Sequence, residues 1–226
     1  MAKKDKLRKY SEIRQFENVY SSKNHYEPMV DHCHKGTFEI RGHWQEHFEN
    51  KGPIILELAC GKGHYTNELS KMHPDKNFIG VDVKGNRIWV GAKEALERGA
   101  TNVAFLRASI ELLNLYFCEN EVAEIWITFP DPQLKKARKR LTSKRFLDLY
   151  RHILTVPHRI HLKTDSDELY FYTQEVIKEE ALMTLCDIGD IYALEHIPET
   201  LSIQTFYEKM HLKNNKKIKY LSFQFE

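Results

Sequence analysis

The chain has 226 residues, with 34 Lys and Arg against 32 Asp and Glu for a formal net charge of +2, and 42% of its residues are hydrophobic. One large domain is the default at that length, and with charge so nearly balanced any affinity for a polyanion has to come from clustered cations. No stretch approaches the ~20 apolar residues of a membrane span, and no apolar segment follows the lysine-rich start, so a soluble, unexported, cytoplasmic protein without membrane contact is expected.

Residues 1–50 are polar and rich in His and Tyr, with no clear period, and read as a basic extension without a core: a partly disordered arm, then one helix around 43–50. Within it His32, Cys33 and His34 could ligate a metal. A structural zinc site needs four ligands, however, and no second pair is at hand, so no metal is expected. The four cysteines, at 33, 60, 118 and 186, are scattered and fit reduced thiols.

From Pro53 the pattern becomes a strand and helix alternation over 51–226. Strands are expected at 54–58, 77–81, 103–106, 124–129 and 159–163, with a last one at 218–225. Helices are expected at 64–71, at 87–98 closed by Gly99, at 146–154 with Thr142 or Ser143 as N-cap, and at 168–180, before an apolar segment at 182–186. Such alternation implies an α/β fold of Rossmann type, a doubly wound and mostly parallel sheet with helices on both faces.

Glu57 to Gly63 lies where the first of these strands turns into a helix. Gly61 and Gly63 permit a tight turn and bring ligand close to the backbone at a helix N-terminus. A dinucleotide fingerprint needs a third glycine at 66, where this chain has Thr66. Asp82 ends the next strand at the spacing of an acid that receives ribose hydroxyls. With Glu57 ahead of the turn, a cationic sulfonium fits better than a pyrophosphate, which points to S-adenosylmethionine; ordinary turn acids would leave the same pattern.

Glu124 to Arg140 starts as an apolar strand and stops at Pro130-Asp131-Pro132, which sets Asp131 on the rim where open α/β sheets bind ligands. Lys135, Lys136, Arg138, Lys139 and Arg140 follow, a block suited to RNA phosphates. Lys3, Lys4, Lys6, Arg8 and Lys9, and Lys213, Lys216, Lys217 and Lys219, read as solvated tails.

Several of these residues fall in one order: Glu57, Gly61 and Gly63; Gly80 and Asp82; Phe129 to Pro132 with its lysines; Thr164 and Asp165; then Thr205, Tyr207 and Glu208. In that order the chain, from about residue 54 to its end, resembles the bacterial tRNA (guanine-N7)-methyltransferases. The resemblance implies a class I fold that transfers methyl from S-adenosylmethionine to N7 of a tRNA guanosine, nucleotide 46 of the variable loop. It implies cofactor contacts by Glu57, Gly61, Gly63, Asp82, Ser109 and Asp131, with Asp131 also the catalytic carboxylate. Lys135, Asp165 and residues 205–208 (Thr205, Phe206, Tyr207, Glu208) would meet the substrate, and either Asp131 or Asp165 would orient the guanine. Three features depart from the family: Gln133 and Leu134 where tryptophan and proline are common, Ser109 where an acid is common, and a shorter basic stretch. The alternatives are a methyltransferase on another RNA or on protein, or a non-catalytic RNA-binding protein on the same fold. The sequence leaves open whether the protein is a monomer or a homodimer.

Overall fold

A computed structural model describes residues 3–23 and 27–226 of the chain; the side chains of Lys3 and Lys4, part of the N-terminal basic run, lie outside the described ones. After helix α1 (Lys3–Glu12) come three short strands, β1 (Val19–Ser22), β2 (Met29–His32) and β3 (Gly36–Glu39). The alternating part follows as β4 (Ile54–Leu58), α2 (His64–Met72), β5 (Asn77–Val81), α3 (Gly85–Glu97), β6 (Val103–Arg107), α4 (Leu113–Tyr116), β7 (Val122–Thr128), α5 (Lys144–Ile153), β8 (Leu154–Thr164) and α6 (Asp167–Glu179). The chain closes with β9 (Met183–Ile188), α7 (Glu199–Ser202), α8 (Phe206–Lys213) and β10 (Lys219–Gln224).

Among the described residues the strands form one sheet in the order β3-β2-β1-β6-β5-β4-β7-β8-β10-β9. Its centre, β1 and β6 through β8, is parallel; β10 runs antiparallel between β8 and β9, and β2 and β3 add an antiparallel edge. Helices cover both faces because the central strands are apolar on both. Ile55, Phe78 and Trp126 pack with Tyr65 and Leu69 of α2, while Leu56, Ile79 and Ile125 pack with Phe146, Leu147 and Tyr150 of α5. The parallel, doubly wound centre and helices α2, α3, α5 and α6 agree with the sequence reading to within a few residues, except that β8 starts at Leu154 rather than at 159 and α4 is not among the expected helices.

The N-terminal segment does not. Rather than an arm without a core, it extends the sheet, with β1 parallel to β6 and Phe105 N–H bonded to Asn18 O at 2.8 Å. Tyr20 and Trp44 are fully buried in the main core, and the Trp44 indole N–H bonds to Tyr116 O at 2.8 Å. The helix expected at 43–50 shrinks to one 3-10 turn, Trp44–Glu46. His32 is buried too, its Nε2 2.8 Å from Glu17 O and its ring stacked on Tyr20 at 4.7 Å. Four-residue strands with polar edges carry no period long enough to be read in advance; they become strands by pairing, β1 with β6 and then β2 and β3 in turn.

Candidate active site

β4 is the point where strand order reverses, with β5 and β6 on one side and β7 and β8 on the other. Ligands of open α/β sheets bind at the carboxyl ends of strands around such a point. A cleft of about 1070 Å³ lies there, lined among others by Glu57, Gly61, Asp82, Asp131, Asp165, Phe206 and Tyr207.

Its floor is the turn from β4 into α2. Ala59, Gly61 and Gly63 all have positive φ, at 57°, 57° and 66°. A Cβ on Gly63 would stand 2.5 Å from Phe105 Cε1, so glycine is required there both by conformation and by the approach of β6. Above Gly61 the backbone is open, a Cβ meeting nothing nearer than Ala59 O at 3.9 Å. The Asp82 carboxylate crosses from β5 to hold this turn, accepting the Gly61 N–H at 3.0 Å and the Lys84 N–H at 2.8 Å. A carboxylate has about four lone-pair sites, so two remain for a diol. Glu57 is buried, and its oxygens accept the Thr66 N–H and hydroxyl and the Thr128 hydroxyl. Burial pushes its carboxyl up to about 7, against the hydrogen bonds from Thr66 and Thr128, which lower it. This floor, an uncovered backbone turn beside two acids, fits an adenosine-bearing cation.

Asp131 stands on the opposite wall, exposed, with its Oδ1 accepting the Gln133 N–H at 2.9 Å. The loop that carries it is held from below by Arg140, which donates Nε–H to Pro132 O at 2.9 Å, pairs with Glu168 and lies 4.4 Å over the Tyr172 ring. Arg140 is only 4% exposed, so it does not belong with the exposed basic block that the sequence grouped it with. Lys135, Lys136, Arg138 and Lys139 are exposed; Lys135, Lys136 and Lys139 flank an outer groove beside Asp131, not the cleft.

The third wall is α8 and the start of β10. Thr205 caps α8 by accepting the Glu208 N–H at 3.1 Å, and Phe206 and Tyr207 stand 56% and 43% exposed at the cleft. Lys62 Nζ lies 4.7 Å over the Phe206 ring. Asp165 is paired with Lys216 at 2.6 Å and lies 3.4 Å from His211 Nδ1.

Residues 51–221 match the family described as "Putative methyltransferase". The tRNA (guanine-N(7)-)-methyltransferase of Christiangramia forsetii is 48% identical over 227 residues, covering 99% of each chain. The enzyme of the same name from Porphyromonas gingivalis is 53% identical over 188 residues, 82% of this chain and 77% of that one. The chain belongs to the tRNA (guanine-N(7)-)-methyltransferase family. The solved structure of the 16S rRNA methyltransferase KamB shares the fold at a TM-score of 0.63 and 14% identity, over 85% of this chain and 97% of that one.

Of the residues to which membership of the tRNA (guanine-N(7)-)-methyltransferase family directs attention, Glu57, Gly61, Asp82, Asp131, Asp165, Thr205, Phe206 and Tyr207 line one cleft. Gly63 shapes its floor without lining it. Ser109 lies in an adjoining cavity of about 450 Å³ with Tyr10 and Arg107, and that cavity meets the cleft at Val83. Lys135 stays on the outer rim. Glu208 is fully buried, its carboxylate 2.8 Å from the Lys163 ammonium, so it cannot reach a ligand in this conformation. The lysines near the end are not a solvated tail: Lys216, Lys217 and Lys219 line the cleft, and Lys219 is buried against Asp167 at 2.6 Å. Sequence reasoning also passed over Lys62, Lys84 and Arg87, which add positive charge to the same cleft. Their spacing gave no signal. Among the described residues no group of three or more His, Cys, Asp and Glu could hold a metal ion, and no helix is long and apolar enough to cross a membrane.

Proposed function

We propose that the protein transfers a methyl group from S-adenosylmethionine to N7 of a guanosine in cytoplasmic tRNA, nucleotide 46 of the variable loop. The observation that carries this reading is that the glycine turn held by Asp82 and the exposed carboxylate of Asp131 line one cleft. Gly61, Gly63 and Asp82 would hold the adenosine end, and Glu57 supplies a negative field beneath the turn. S-adenosylmethionine brings an electrophilic methyl on a sulfonium. Guanine N7 has a free lone pair and no proton, so no activated nucleophile is required. As the N–C bond forms and the C–S bond breaks, positive charge passes to the purine.

The chain's contribution is alignment and a carboxylate at the place where that charge arrives. Asp165 is already paired with Lys216, whereas Asp131 has, among the described residues, no cation within ion-pair distance. Asp131 is therefore the carboxylate free to accept the N1–H and N2–H edge of guanine, a contact that adenine cannot satisfy. Phe206 and Tyr207 offer rings on which an unstacked base can lie.

The test is methyl transfer from labelled cofactor into unmodified tRNA, with digestion to identify the nucleoside and a transcript lacking the guanine at nucleotide 46 as control. Label in 7-methylguanosine that disappears with the control is expected. Label in another nucleoside, or none, overturns the reading.

A further inference from the structure

We propose that Lys163 is a positioning residue for the RNA base. Through its buried contact with Glu208 it fixes the aromatic start of α8 against the cofactor turn, and so sets substrate affinity without touching substrate. The proposal rests on the function argued above.

Lys163 is the penultimate residue of β8, before Thr164 and Asp165, and its side chain is fully buried. An ammonium out of water is costly unless each of its three protons finds an acceptor. Here all three do: Leu201 O at 2.8 Å, Ile203 O at 2.9 Å and the Glu208 carboxylate at 2.8 Å. These acceptors sit at α7, in the link between α7 and α8, and in the first turn of α8. One cation thus ties three points of a short stretch to the central sheet. Glu208 also accepts the Tyr192 hydroxyl at 2.8 Å, which brings in a fourth segment.

Such an arrangement is not needed to fill a core, because well-packed apolar residues in place of a buried ion pair are often as stable or more so. What the ion pair does offer is a fixed register. A slide of α8 would leave two buried charges unpaired, whereas an apolar contact tolerates small shifts. The residues placed by that register are Phe206 and Tyr207, which immediately precede Glu208 and are exposed at the cleft, with Lys62 of the glycine turn over the Phe206 ring. Large exposed aromatic rings beside a rigid anchor suit stacking on a base. Glu208 therefore serves substrate from inside the molecule.

The test compares the full-length protein with Lys163→Met, Glu208→Gln and the double variant Lys163→Met/Glu208→Leu, which leaves no buried charge unpaired. Amide exchange of residues 201–213, calorimetric binding of S-adenosylmethionine and methylation kinetics on unmodified tRNA are read together. In the double variant we expect the α8 amides to exchange about tenfold faster or more. KM for tRNA should rise about tenfold while cofactor affinity stays within about twofold. Unchanged α8 exchange, an unchanged KM, or an equal loss of cofactor affinity overturns the proposal. So does a double variant that does not fold, since the pair would then be a requirement of the fold. Exchange needs no activity, so a wild-type protein that fails to methylate tRNA refutes the function reading, while the exchange result still reports on the anchor.

Discussion

Thr66 donates both its backbone N–H and its hydroxyl to the Glu57 carboxylate, so the residue that replaces the third glycine of a dinucleotide fingerprint is what holds the acid beneath the glycine turn. Thr128, at the end of β7, supplies a third donor at 2.8 Å. The departure from the fingerprint and the buried acid are one feature: the helix start gives its amide and hydroxyl to a protein carboxylate.

The protonation of Glu57 follows from that burial and predicts a pH dependence. Its carboxyl rises from 4.5 to about 7 on folding, chiefly by desolvation. A group whose folded value is raised stabilises the fold fully below its unfolded value, and the contribution is lost as pH rises through the folded value. The wild-type protein should therefore lose up to a few kcal/mol of stability between about pH 4.5 and pH 8, a loss missing from Glu57→Gln. Because the ionised form attracts a sulfonium, affinity for S-adenosylmethionine should tighten as pH rises through about 7. Melting and calorimetric titrations at several pH values, on both proteins, check the two slopes.

Asp131→Ala should lower kcat for methyl transfer by about two to three orders of magnitude, the scale seen when a preorganised group facing transition-state charge is removed. The side chain is exposed and accepts one hydrogen bond, from Gln133 N–H, so the melting temperature should hardly move. Transfer at the parent rate by the variant would end its assignment as the catalytic carboxylate.

Asp82→Ala should weaken S-adenosylmethionine binding by roughly one to two decades, the worth of a charge-assisted hydrogen bond. The same change also frees the Gly61 N–H and loosens the turn. Affinity for tRNA, measured without cofactor, should be unaffected.

Arg140 and its basic neighbours should separate under salt. Replacing Lys135, Lys136, Arg138 and Lys139 by alanine should flatten the dependence of log affinity for tRNA on log salt, by about 0.7 to 0.9 for each phosphate that is no longer neutralised. Arg140→Ala should leave that slope alone and lower kcat instead, because Arg140 holds Pro132 O and Glu168 rather than solvent. A slope that follows Arg140 would return it to the RNA-facing block.

Much of the centre was legible from the chain alone, because its signals are local. Gly61, Gly63 and Asp82 announce a turn and an acid at a strand end; Pro130 and Pro132 stop β7 and leave Asp131 at its rim. Apolar runs bounded by such breakers yield β4 to β8 and helices α2, α3 and α5, though not α4. The terminal thirds were harder. Three four-residue strands gain identity only from pairing, β1 with β6, β2 with β1 and β3 with β2, and α8, a short helix of weak apolar period, gains its place from Thr205 and Glu208.

The sequence by itself determined the glycine turn and the rim carboxylate, since each rests on neighbours within one strand or turn, and the α/β alternation and the family, since these rest on the order of such local signals along the chain. Only the tertiary structure decided which charges line the cleft and which are buried in pairs. Arg140, Lys219 and Glu208 read as exposed ions, yet their partners Glu168, Asp167 and Lys163 stand 28, 52 and 45 positions away. A charged side chain is the same letter whether solvated or paired. Its burial depends on a counter-ion brought to it by the fold: pairing keeps Arg140 and Glu208 out of the cleft lining and holds Lys219 at the cleft wall against Asp167, while Asp131 stays exposed in the cleft.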